Sequence, residues 1–398
     1  MKIQKIETYL LKCELDDLTF WSSQCSFSHR KSLVVKITTD SGLVGLGEGG
    51  QYGPGEQVST VVHKVFAPML MGVSFDQIDV LWDKMYCKIR DYARKGPAIE
   101  AMSAIDIALW DLLGKQLSKP VYSLLGGAFR KELTCYATGL YYRGKEIPSL
   151  DEELISLKSE AENYVNDGFS AVKMKIGLMT PREDILRMQR VREIIGPDRQ
   201  LFVDANHAYN VHTAKMLIKP MAELDVYWFE EPVVPEDRSG YRELKESSPF
   251  AIAGGECEYT RYGFVNWFKD KAMDICQPDL CCAGGIGEVK RIATIANAHG
   301  VTCIPHVWGS GIALAAGVQL LATLPPFPYT ARECAPFNAP ILEYDSNPNP
   351  LRTDLLSTPL APKDGKIKVP EAPGLGISIN EEAFENYTVS QDLSELSL

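Results

Sequence analysis

Three acidic residues close apolar runs at even intervals: Asp204 in LFVDAN, Glu230 in YWFEEP and Glu256 in AIAGGE. Both gaps are 26 residues (230 − 204 and 256 − 230). One strand, one helix and two short loops fill about that length. Successive βα units of a parallel barrel have this period, and barrel enzymes gather their chemistry at the C-terminal ends of the strands. Three carboxylates converging there would repel one another without a cation. Oxygen ligands of this kind suit a hard divalent ion, above all Mg²⁺.

The series continues on both sides. Lys173 and Lys175 end the earlier run SAVKMKIG. Side chains alternate along a strand, so both lysines share one side and Met174 takes the other. Val172 and Ile176 make both faces read as largely buried, which favours lysines that line the barrel interior over solvated ones. Two ammonium groups that close depress each other's pKa, which makes one of them a base near neutrality. Downstream, QPD ends in Asp279 and CIPH in His306, at steps of 23 (279 − 256) and 27 (306 − 279). An Asp and a His on adjacent strand ends form a hydrogen-bonded dyad in which the carboxylate raises the basicity of the imidazole. A lone His is more often structural; its place in the series argues for chemistry. A divalent ion with a base on each flank suits removal of a proton beside a carboxylate. Ion and lysine stabilise the charge as it develops, and a positioned base takes the proton.

The elements that must position these groups can also be read. LTCYATG, SAVKMKIG, QLFVDAN, VYWFEE, FAIAGGE, DICQPD, VTCIPH and PILEYD are eight expected strands, with helical stretches between them. Alternating β and α over residues 126–345 predicts a parallel barrel, with a doubly wound sheet as the alternative that the even spacing disfavours. Residues 1–125 run strands first and helices later, an α+β unit. KIQKIETYLLKC and SLVVKITTDSGLVGLGE read as strands, the second folded at Asp40-Ser41-Gly42. The tail, 346–398, reads as turns and short strands that return to the N-terminal unit. Asp16 to Arg30 and Gln51 to Glu56 are loop-like and are expected to act as lids.

Composition narrows the partners. The 398 residues are 45% hydrophobic and 23% charged, ordinary for a globular enzyme, and the net charge of −11 argues against nucleic acid or a membrane surface. The start, MKIQKIETYLLKCELDD, has no apolar core of a signal peptide, and no stretch is apolar enough to span a bilayer, so a cytoplasmic location is expected. The ten cysteines are scattered, which suits reduced thiols. Cys276, Cys281 and Cys282 lack the paired CxxC spacing of a soft-metal cluster.

KMKIG, VDAN, WFEEP, GGE, QPD and PHVWG, in this order, resemble the enolase superfamily, in particular its mandelate racemase and muconate lactonizing branch. AIEAMSAIDIALWDLLGKQLSKPVYSLLGG echoes that branch's N-terminal signature. The resemblance implies a modified TIM barrel, (β/α)₇β, capped by an α+β domain drawn from both chain ends. It implies Mg²⁺ on Asp204, Glu230 (rather than Glu231) and Glu256. Lys175 would be one acid/base, assisted by Lys173, which also contacts the substrate carboxylate. His306, backed by Asp279, would be the second, on the opposite face. Asn206 would reach a substrate hydroxyl, and Glu343 would hydrogen-bond a carboxylate oxygen, with Glu333 in ARECAPF competing for that place. A homo-oligomer, dimer or octamer, is also implied.

Proton loss leads to several outcomes: racemisation or epimerisation of a 2-hydroxy acid, or β-elimination by a dehydratase or a cycloisomerase. HVWGSGIALAA and NPNPLR are similar to galactarolactone-type cycloisomerases of this branch. Ser22, Ser23, Gln24, His29 and Tyr52 give the expected lids polar groups, which favours a small-molecule carboxylate substrate of the acid-sugar or lactone kind. A barrel that only binds is disfavoured, since every acid, base and ligand position is filled.

Overall fold

The structure, a computed structural model, describes residues 1–50 and 52–396; Gln51, the first residue of the second expected lid, lies outside the described residues, as does the end of the expected tail. Eight parallel strands form the barrel: β1 (Glu132–Gly139), β2 (Ala171–Lys175), β3 (Gln200–Asp204), β4 (Val226–Glu230), β5 (Ala251–Gly254), β6 (Ile275–Cys276), β7 (Thr302–Cys303) and β8 (Leu342–Asp345). They pair in the order β7-β6-β5-β4-β3-β2-β1-β8. A helix lies between each strand and the next, from Leu150–Asn166 after β1 to Gly311–Leu321 after β7. This is the modified (β/α)₇β barrel. Its helices start where local chemistry dictates. Ser149 and Thr180 each accept from a glutamate amide three residues on, and that glutamate's carboxylate reaches back to the cap.

The pleat of the strands fixes where the chemistry sits. One layer of the barrel interior is apolar: Tyr136, Ala171, Phe202, Trp228, Ala253, Ile275, Ile304 and Ile341 form one buried cluster. Phe202 and Trp228 stack there with ring centroids 3.5 Å apart. Two residues further along, on the same side of each strand, stand Thr138, Lys173, Asp204, Glu230, Gln277, His306 and Glu343, all buried. Only β5 breaks the rule, where Gly255 holds the place and Glu256 follows it. The apolar layer is the floor on which the polar layer rests.

The cap is built on three antiparallel strands, Ile3–Glu14, His29–Thr39 and Val44–Gly49, and the long helix Pro97–Gln116. The tail's last strand, Thr388–Glu395, adds to this sheet beside Ile3–Glu14, so both ends of the chain meet in the cap. The DGKIKV segment behaves differently: Lys366–Lys368 pairs antiparallel with the start of β1, on the barrel. Gly45, Gly47 and Gly49 alternate along one strand and lie flush on the long helix. A Cβ there would run into the carbonyls of Ala108, Ala104 and Glu100 respectively. Gly47→Ala is expected to destabilise the protein by about 3 kcal/mol through overpacking against rigid backbone, read as a lower denaturant midpoint.

Glu48, fully buried on the same strand, locks the cap to the barrel. Its carboxylate accepts from Ser310 N (2.9 Å), Ser310 Oγ (2.5 Å) and Ala313 N (2.9 Å), at the N-terminus of Gly311–Leu321. An anion there meets unpaired amides and the positive end of the helix. Residues 16–30 are more ordered than a loop. Phe20–Trp21 pairs with Ser26–Phe27 and with Tyr142–Arg143. The aromatic cluster of Phe20, Phe27, Tyr141 and Trp308 holds this small sheet against the barrel mouth. No helix among the described residues is long and apolar enough to cross a membrane. The ten cysteines are reduced thiols rather than disulfides.

Candidate active site

A cavity of about 370 Å³ opens at the C-terminal ends of the barrel strands, under residues 22–31 and Tyr52. Lys175, Asn206, Glu256, His306 and Glu343 reach its wall. Lys173, Asp204, Glu230 and Asp279 stand directly behind them, each bonded to a wall residue or to another member of the layer. The Lys173 ammonium lies 2.6 Å from Glu230 Oε1 and 2.8 Å from Glu343 Oε1. It is 1% exposed and stands behind the cavity wall, among the carboxylates it pairs with. Lys175 Nζ donates to Asp204 Oδ2.

Asp204, Glu230 and Glu256 converge as spaced: one carboxylate oxygen from each lies within 4.8 Å of the others. Supporting bonds orient them. Glu230 Oε2 accepts from Gln277 Nε2 (2.7 Å) and Trp228 Nε1 (3.1 Å), and Asp204 Oδ1 from the Asn206 amide (2.8 Å). Alternation along β4 puts Trp228 on the side of Glu230, so that contact was open to the reasoning used for the two lysines; Gln277 was quoted in QPD without a role. Glu256 Oε2 is buried and accepts no hydrogen bond.

Electrostatics says what this layer lacks. Six buried carboxylates (Asp204, Glu230, Glu231, Glu256, Asp279, Glu343) face three cationic groups (Lys173, Lys175, His306). Burial, with Asp204 and Glu343 adding to it, pushes Glu230 up to about 8 in spite of Lys173 beside it. An excess of buried carboxyl groups over cationic ones fits a hard divalent cation on the triad.

The lysines differ from expectation. Burial alone would lower both, yet Asp204 chiefly raises Lys175, and Glu230 and Glu343 raise Lys173 well above the usual range. Mutual repulsion between them is the smaller effect, because each ammonium touches a carboxylate from another strand.

His306 Nδ1 and Asp279 Oδ2 are 2.7 Å apart, and Nε2 faces Tyr52 Oη at 3.2 Å and Glu256 Oε2 at 3.4 Å. Burial would lower its pKa; Glu256, Glu343 and Asp279 raise it to about 10. Its folded pKa thus exceeds the unfolded value of about 6.5. It contributes stability that is whole below about pH 6.5 and is lost as pH rises towards 10. In ion-free protein the urea midpoint should fall across that window more steeply than in His306→Gln. Equal slopes would refute the coupling.

The position expected for Glu343 or Glu333 goes to Glu343. It lies on β8, fully buried, and accepts from Thr138 Oγ1 (2.6 Å) and Val307 N (3.1 Å), tying β8 to the segment after β7. Glu333 is exposed and pairs with Arg130 at 3.1 Å. Asn206 lines the cavity with Oδ1 unpartnered. Of the lid groups, Ser23 Oγ donates to Ala205 O (2.7 Å) and Gln24 Nε2 to Asn206 O (2.8 Å), so both support the β3 end, and Gln24 also lines the cavity. Arg30, stacked over Trp308 and 2.9 Å from Asp345, was not anticipated.

Residues 6–126 match the mandelate racemase / muconate lactonizing enzyme N-terminal domain, and residues 156–383 match the enolase C-terminal domain-like family. The chain belongs to the mandelate racemase/muconate lactonizing enzyme branch of the enolase superfamily. As a member of that branch it is an enzyme. It is 39% identical to D-galactarolactone cycloisomerase of Agrobacterium fabrum over 97% of this chain and 99% of that one. Arabinonate dehydratase of Saccharolobus solfataricus is 35% identical over 89% of this chain and 90% of its own. The crystal structure of 3,6-anhydro-D-galactonate cycloisomerase from Zobellia galactanivorans superposes with a TM-score of 0.85, at 39% identity, covering 98% of this chain and 100% of that one. A racemase from Streptomyces coelicolor A3(2), 28% identical with a TM-score of 0.84 over 97% and 100% of the two chains, carries bound magnesium.

Proposed function

We propose that this enzyme removes the α-proton of a small acid sugar in its lactone or anhydro form and opens the ring by β-elimination, as a Mg²⁺-dependent cycloisomerase. One observation carries the reading: Lys175 on β2 and His306 after β7 reach one cavity from opposite sides of the barrel, with the carboxylate triad between them. Mg²⁺ held by Asp204, Glu230 and Glu256 would supply positive charge against the charge that develops on the substrate carboxylate.

The two bases take different roles because their anionic neighbours differ. The carboxylates that raise Lys175 are Asp204 and Glu256, both in the triad. Were those carboxylates engaged by a cation, burial and Lys173 would favour the neutral amine, with Tyr141 left as the neighbour that raises Lys175. His306 keeps Asp279 and Glu343, which lie outside the triad. Lys175 therefore takes the α-proton, and protonated His306 gives its proton to the departing ring oxygen. The C–H pair becomes the new double bond, the β C–O bond breaks, and the enol so formed tautomerises to a 2-keto acid. Lys173 holds Glu230 and Glu343 in place from behind. Asn206 Oδ1 is free to accept from a substrate hydroxyl.

The ring-opening choice is supported by similarity to two cycloisomerases along nearly the whole chain. Dehydration of an open acid sugar is the alternative, supported by similarity to a dehydratase. Screening aldonates, aldarates, their lactones and anhydro forms with Mg²⁺ separates these by product. A cycloisomerase returns a 2-keto acid of unchanged mass, and a dehydratase returns one lighter by a water. Epimers alone would reject elimination altogether.

A further inference from the structure

One residue beyond two of the triad positions, and three beyond the other, the same strand ends carry donors of a different kind. His207, Glu231 and Cys257 follow β3, β4 and β5, and one ring nitrogen, one carboxylate oxygen and the thiol sulfur lie within 4.8 Å of one another. We propose that these three residues form a second metal site, separate from the carboxylate triad, which takes a thiophilic divalent ion such as Zn²⁺.

The donor chemistry separates the two sites. Three carboxylates suit a hard ion with oxygen ligands, whereas a mixed nitrogen, oxygen and sulfur set suits zinc. Tetrahedral zinc bonds of the usual lengths leave ligand atoms roughly 3.3–3.7 Å apart. Rotation of the partly exposed His207 and Cys257 side chains covers the difference from 4.8 Å.

A second observation points to a ligand. Glu231 is 1% exposed, and although the Cys257 thiol bonds its carboxyl group, its Oε2 accepts no hydrogen bond. An uncompensated buried carboxylate oxygen is costly, and a cation removes that penalty. The backbone is also prepared. His207 (φ 53°) and Glu231 (φ 44°) both lie in the left-handed region, and the His207 amide donates to the Glu231 carbonyl at 2.7 Å. Such strain persists where the surroundings hold it, and here it aims two of the three donors. Access is open, since His207 and Cys257 line the cavity. Three protein ligands leave a fourth coordination position facing that space, the arrangement of zinc sites that keep an exchangeable ligand.

Co²⁺ added to the full-length protein in excess Mg²⁺ tests the proposal, because cobalt bound to a thiolate gives a near-ultraviolet charge-transfer band. The band should appear in the wild type at one equivalent, persist in Asp204→Asn, vanish in Cys257→Ser and be displaced by Zn²⁺. Zn²⁺ affinity should fall in His207→Ala by at least the roughly 100-fold that loss of an outer-shell partner causes. His207 is partly exposed, so that variant reports on the site even if Cys257→Ser fails to fold. A wild type without the band overturns the proposal, as does a band that survives Cys257→Ser. Loss of the band in Asp204→Asn would also overturn it, by showing that Cys257 serves the triad's ion.

Discussion

Lys175→Met is expected to abolish exchange of the substrate α-proton and to lower turnover by about 10³-fold or more, some 4 kcal/mol of barrier. Methionine keeps the length and apolar stem of the side chain while removing the amine that takes the proton. Mg²⁺ affinity should survive, because Lys175 meets the triad only through Asp204. His306→Asn supplies the contrast. It removes the acid that protonates the leaving oxygen but leaves Lys175 in place, so net elimination should fall by a similar factor while α-proton exchange persists. NMR of substrate in D₂O measures both at once. Exchange lost in His306→Asn and retained in Lys175→Met would reverse the two roles.

The second large effect is that of Asp204→Asn. Asp204 is a triad carboxylate and also the partner of Lys175, with Lys173 3.7 Å away. The amide gives up one oxygen ligand and a full negative charge. Mg²⁺ affinity and turnover should each fall by about 10³-fold or more, again roughly 4 kcal/mol. Ion-free protein should also lose about 3 kcal/mol of stability, because two buried ammonium groups lose a counter-charge. Calorimetric Mg²⁺ titration beside a urea melt separates these effects. Unchanged Mg²⁺ affinity would remove Asp204 from the metal site.

Much of this was legible in the chain because a parallel barrel repeats. Every strand but β5 contributes an apolar residue to the floor and, two positions on, a polar residue to the layer above, so Phe202 announces Asp204 and Trp228 announces Glu230. The even spacing of strand ends then brings Lys175, Asp204, Glu230, Glu256, Asp279 and His306 to one end of the barrel. What escaped the sequence depends on partners far away in it. Phe20–Trp21 becomes the middle strand of a small sheet because Tyr142–Arg143, far along the chain, offers it a second edge beside Ser26–Phe27. Tyr52 reads as a loop residue until its hydroxyl meets His306, 254 positions on. Ser23 and Gln24 were counted as groups for a substrate, but the β3 end takes their hydrogen bonds. The lysine pair was judged from neighbours two residues apart, whereas their protonation is governed by carboxylates on β3, β4 and β8. Local pattern places a side chain; its charge state belongs to the assembled layer.

The central claim is removal of a proton beside a carboxylate, and solvent deuterium reports on it directly. With Mg²⁺ present, acid-sugar lactones and anhydro acids incubated in D₂O should acquire deuterium from solvent at the α-position of recovered substrate or at the carbon protonated when the enol becomes the 2-keto acid. The signal should vanish in Lys175→Met. An accepted substrate whose product forms with the original α-hydrogen still in place would contradict the account.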